Sequence, residues 1–201
     1  MNGWTWATAG YSIAVVMSFI PVLAALLRGV ERHPGGPSFP ESSKFSDDAK
    51  TALVQHYERL SGTLSFWKTQ AFRYKRFHTY AVIWVTVSTV SVPFLAQSIT
   101  NNPWSKWCVT VIGAYAALLL SLSRAFRVEN NYKAFRQGES EFYDTWRKLL
   151  DDPAAFGRTE AEQLQRYFEL VALIRQKVRA AETDNIPSIE AAAAPISKSS
   201  Q

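Results

Sequence analysis

Eight cations flank an uncharged centre in this chain: Lys68, Arg73, Lys75 and Arg76 before it, and Arg124, Arg127, Lys133 and Arg136 after it. One acid, Glu129, falls within the same segments. Cations at this density fit two kinds of chemistry. Beside a bilayer they anchor to anionic headgroups, each contributing about 1 kcal/mol. Farther from it, Lys68, Lys133 and Arg136 suit charge-assisted contacts to a phosphate-bearing ligand. Trp67, Tyr74, Tyr132 and Phe135 are interleaved with them. Such rings stack on nucleobases or fill the seam between packed helices, and their spacing, developed below, favours the seam. The residues read as ligand-binding are Lys68, Arg73, Lys75, Arg76, Lys133 and Arg136, with Trp67 and Tyr132.

A second pattern is neutral. Thr86, Thr89, Pro93 and Gln97 recur at spacings of three and four, which places them near one face of a helix. A polar stripe inside an apolar helix lines a pore or packs against a neighbouring helix, and both readings stay open. No charge interrupts 77–105, so a pore lined by this stripe lacks a strong ionic filter and fits closure by dewetting.

Signals for catalysis are poor. There is no glycine-rich phosphate loop, and His33, His56, His78 and Cys108 show no zinc-type spacing. Glu139, Glu141 and Asp144, or Asp151 and Asp152, read as solvated ion-pair partners rather than an acid–base pair. Neither enzyme activity nor a cofactor is expected. Cys108, the single cysteine, permits no internal disulfide and reads as a small packed residue.

The elements that must position these residues follow from hydropathy. Residues 80–96 and 107–123 are uncharged and close to the roughly twenty apolar residues that span a 30 Å hydrocarbon core. Residues 4–27 form a third uncharged run. A cleaved secretory signal is the competing reading of this run, but signals usually open on Lys or Arg, and none precedes Arg28. The expectation is an uncleaved helix over 1–28, kinked at Pro21. Residues 28–78 carry nine Lys and Arg, the connection between the later spans only Lys106, and Arg124 and Arg127 follow at once. Cations favour the cytoplasmic side, which predicts the N-terminus outside and the C-terminus in the cytoplasm. Trp4, Trp6, Trp104 and Trp107 then all fall at the outer headgroup layer.

Residues 29–46 are rich in Pro, Gly and Ser and read as a flexible linker. Beyond it, Leu53, Tyr57, Leu60, Leu64, Trp67, Ala71 and Tyr74 alternate by four and three, a heptad seam. A nearly continuous helix is predicted, with a cytoplasmic part over 47–78 and a span over 79–98. A short outer turn and a span over 105–124 follow. Val128, Tyr132, Phe135, Glu139, Phe142, Trp146 and Leu149 repeat the alternation in a cytoplasmic helix over 125–150, stopped at Asp151-Asp152-Pro153. Thr159-Glu160-Ala161-Glu162 matches a capping box opening a last amphipathic helix over 160–182. Residues 183–201 read as a disordered tail. The predicted fold is all-α: three membrane spans with long helices extending into a cytoplasmic bundle. Its seams close within one chain or between chains, and aromatic-rich seams fit the first.

Trp67-Lys68, running through Arg73-Tyr74-Lys75-Arg76-Phe77 into a span with the late proline Pro93, is similar to the two-transmembrane SLATT effector domain of bacterial conflict systems. The turn with Trp104, the next span and a charged helix with Tyr132, Phe142 and Trp146 extend the resemblance over about 47–182. It implies a pore-forming effector in the bacterial inner membrane, opened after a partner enzyme senses infection and makes a nucleotide or short oligonucleotide signal. The N-terminal span departs from the two-span pattern. The expected partners are membrane lipids, that signal, and copies of the same chain, with four subunits the expected number. The competing expectations are a non-conducting anchor recruiting cytoplasmic proteins through its heptad faces and, third, a membrane enzyme subunit.

Overall fold

The computed structural model describes residues 3–27 and 38–185. Residues 1, 2 and 28, at the ends of the expected first helix, 29–37, in the expected linker, and 186–201, in the expected tail, lie outside the described residues. The described chain forms five α-helices and no strand: α1 Gly3–Leu27, α2 Asp47–Gln97, α3 Pro103–Ala125, α4 Val128–Asp151 and α5 Glu160–Asp184. Short 3-10 turns at Phe39–Glu41 and Pro153–Ala155 complete it. The all-α class expected from the periodicities is the observed one.

Three of these helices, α1, α2 and α3, are long and apolar enough to cross a membrane. At 1.5 Å per residue, even the 23 residues of α3 reach about 34 Å, longer than a hydrocarbon core. Only 11% of the most apolar window of α1, and 17% of those of α2 and α3, is buried within the chain. The remaining surface is too apolar to face water at that size.

The helices divide into two compact units. The first holds α1 and residues 73–130, the second residues 38–72 and 131–184. In the first, Val22, Tyr80, Ala81 and Leu119 form a buried cluster, flanked by Phe19, Phe77, Trp84, Val85 and Tyr115. The turn into α3 is built by Asn102, whose side chain accepts from the Trp104 N–H at 3.0 Å, with Pro103 in the first helical turn. Ser105 is fully buried there and donates to the Asn102 carbonyl at 2.7 Å. Between α3 and α4 lies Arg127, whose backbone is in the left-handed region at φ 42°.

In the second unit the predicted seams meet within one chain. Leu53, Leu60, Leu64, Trp67 and Ala71 of α2, Phe135, Phe142, Trp146 and Leu149 of α4, and Tyr167, Val171, Ile174 and Val178 of α5 are all buried. Gly138 permits this closeness, because a Cβ there would run into Val178 Cγ2 and lie 3.6 Å from the Trp67 ring. The capping box is formed: Glu162 N donates to Thr159 Oγ1, and Thr159 N to the Glu162 carboxylate, each at 3.3 Å. Glu160 acts elsewhere, accepting from the N–H and hydroxyl of Ser46, both at 2.7 Å, at the start of α2. Those bonds hold its carboxyl below the usual carboxylate range.

The described end of the expected linker is packed rather than loose. Phe39 and Phe45 are buried, and the Phe39 ring sits 5.5 Å from Trp146 and 6.1 Å from Tyr167. Two aromatic side chains within Pro- and Ser-rich sequence outweigh its flexible composition once a core is there to receive them.

Candidate functional site

The membrane-length part of α2 has two polar faces, and the structure separates them. Ser88 is fully buried, 3.0 Å from the Tyr11 hydroxyl of α1. Around this pair Tyr80 donates to the Val15 carbonyl at 3.1 Å and hydrogen-bonds Tyr115 of α3. Trp84 Nε1 donates to Ser18 Oγ at 2.9 Å, and Ser18 in turn bonds the Ala14 carbonyl at 2.7 Å. The rings of Tyr11 and Trp84 meet edge to face at 5.3 Å, as do those of Phe19 and Tyr80 at 5.2 Å. This is an interlock of hydroxyls and rings binding α1 to α2 and α3, made of groups whose burial among apolar side chains demands such partners.

Thr86, Thr89, Pro93 and Gln97 occupy the other face and are all exposed. Thr86 also borders a recess of about 310 Å3 with His78, Ser123, Arg124 and Glu129 among its walls. Packing between helices of one chain is therefore carried by Ser18 and Ser88, not by the threonine–glutamine stripe.

The cations chosen from sequence fall in both units. Arg73, Lys75 and Arg76 belong to the first; Lys68, Lys133 and Arg136, with Trp67 and Tyr132, belong to the second. Lys75, Arg76, Lys133 and Arg136 are exposed, while Lys68, Arg73 and Tyr132 are partly covered. Arg136 is engaged with Glu139 at 2.7 Å, and Glu139 is itself buried. The acid that interrupts the apolar seam of α4 is thus neutralised one helical turn away. Trp67 is buried in the core, with a limited part of its indole bordering a groove.

That groove holds residues the sequence reading missed. It lies between α2 and α5, encloses about 340 Å3, and is lined by Gly62, Thr63, Phe66, Trp67, Arg175, Arg179 and Glu182. Arg175, Arg179 and Glu182 stand at i, i+4 and i+7, one face of α5. The signal in the sequence is this spacing beside the apolar positions Ile174 and Val178. His56, its ring tilted by 42° against that of Phe168 at 4.4 Å, registers the local field. Burial first, then the charges of Arg59 and Arg175, pushes its pKa below the ordinary 6.5.

Residues 63–139 match a domain family described as a protein of unknown function (DUF4231). No curated protein and no solved structure matches the chain. The matched stretch runs from within α2, through α3, to the middle of α4, so α1 and α5 lie outside it.

Proposed function

We propose that this chain is a homo-oligomeric effector of the bacterial inner membrane that opens an ion path when its helical bundle binds a nucleotide-type signal. The observation that carries the reading is the exposed stripe Thr86, Thr89, Pro93 and Gln97 on a helix whose buried polar contacts are made by other residues. Hydroxyl and amide groups facing hydrocarbon are costly, whereas facing water around an axis shared by several copies they are not. Four copies fit a narrow axis. The SLATT resemblance and the lysine and arginine distribution supply the rest: a defence role, the N-terminus outside and the bundle in the cytoplasm. On this reading α1 is an added helix held against the hairpin by the tyrosine–serine interlock.

The alternative, a non-conducting scaffold, was to recruit partners through its heptad faces. Those faces are buried against each other in the second unit, which weighs against it. Liposome flux separates the two. Purified chain in vesicles loaded with a potassium-sensitive dye is expected to release potassium when a nucleotide extract from infected cells is added, and Gln97→Leu and Thr86→Leu to reduce that release. Silence with and without nucleotide favours the scaffold.

A further inference from the structure

We propose that the groove between α2 and α5 is a binding site for an organic phosphate of mononucleotide size, a phosphomonoester carrying a flat ring. The inference rests on the reading of the bundle as a sensor of a phosphate-bearing signal and assigns the place where that signal sits. Two guanidinium groups one helical turn apart, Arg175 and Arg179, line one wall. Neither is paired with a carboxylate among the described residues, and Arg175 Nε is buried without a hydrogen-bond partner. Forked guanidinium donors match phosphate oxygens better than any other side chain.

The opposite wall supplies the rest of the chemistry. Phe66 is 43% exposed, an unusual setting for a phenyl ring, and offers a face on which a flat ligand ring stacks. Thr63 adds a hydroxyl, and Gly62, with nothing within 4 Å of where a Cβ would be, keeps the floor open. Glu182 closes the end of the row as an acceptor for a ligand hydroxyl or amino group. Its negative charge also disfavours a chain of several phosphates. The volume of about 340 Å3 lies at the small end of ligand cavities, which accommodates one nucleotide unit.

The test is calorimetric titration of the full-length chain in detergent with AMP, alongside inorganic phosphate and a soluble short-chain phosphatidate. The expected result is saturable AMP binding that weakens with salt and is tighter than either ringless phosphate. Arg179→Gln should weaken it about ten- to hundredfold. Gly62→Leu should abolish it while leaving the thermal midpoint unchanged or higher, because leucine fills the groove and favours helix over glycine. Arg166→Gln, on α5 but outside the groove and paired with Glu169, should bind as the parent does. AMP binding undiminished in both Arg179→Gln and Gly62→Leu would overturn the site, as would no AMP binding at all. Phosphatidate or phosphate binding as tightly as AMP would overturn the ring-bearing ligand. Binding with these mutational losses but without ion flux would leave the site standing and remove the channel reading. Flux triggered equally in parent and groove variants would do the reverse.

Discussion

Gly138→Ala isolates how tightly the second unit is packed. A methyl at this position enters the space of Val178 Cγ2, a branched, buried side chain with little freedom to turn away, and the Trp67 ring stands 3.6 Å off on another side. Overpacking of this kind costs about 1–3 kcal/mol. Alanine returns about 0.5–1 kcal/mol over glycine in a helix interior. The expected net effect is a loss of about 1–2 kcal/mol, lowering the thermal midpoint of the chain in detergent by a few degrees. Val178→Ala alone should cost about 2 kcal/mol through lost burial and a cavity. Combined, the new methyl occupies the space that the valine vacated, so the double variant should be more stable than the sum of the singles predicts, by about 1–2 kcal/mol. Unfolding is followed by near-ultraviolet dichroism, which reports the packing of Trp67 and Trp146. A Gly138→Ala variant as stable as the parent, or strictly additive singles, would refute the reasoning.

Tyr167 is fully buried, and its hydroxyl has no hydrogen-bond partner, so Tyr167→Phe should raise stability by about 1 kcal/mol, read as a higher midpoint. His56 has a depressed folded-state pKa, so the unfolded chain takes up its proton first as pH falls through about 6.5. Stability should therefore be level above that pH and decline below it, and His56→Gln should flatten this part of the profile in denaturation at pH 5–8. Tyr11→Phe should weaken attachment of α1 by about 0.6–2 kcal/mol in nanodiscs, with Ser88→Ala adding little on top, because both remove one bond.

The helices were legible in the sequence because their signals are long. An uncharged run wider than a bilayer and a four–three alternation sustained over several turns leave few other ways to bury apolar surface. What stayed hidden depends on phase and partner. Ser88 and Thr89 are adjacent and chemically alike, yet one is locked against Tyr11 and the other is exposed; only the placement of α1 distinguishes them. Glu139 looked like a flaw in a seam and is a buried ion-pair partner of Arg136. Gly138 carries no signal of its own, since the space it leaves is filled by a side chain forty residues on. Phe39 and Phe45 were masked by the composition around them. Arg175 and Arg179 read as ordinary surface charges until α2 is set beside them to form a groove.

The most direct measurement of the central claim is blockade of current by thiol reagents in planar bilayers. In a Cys108→Ala background, Thr89→Cys places a thiol on the polar stripe, and Val90→Cys places one on the neighbouring apolar surface, where the native valine is 57% exposed. The account predicts that a charged methanethiosulfonate reduces the current of open Thr89→Cys channels and leaves that of Val90→Cys unchanged. Equal effects at both positions, or current through Thr89→Cys that the reagent never alters, would contradict it.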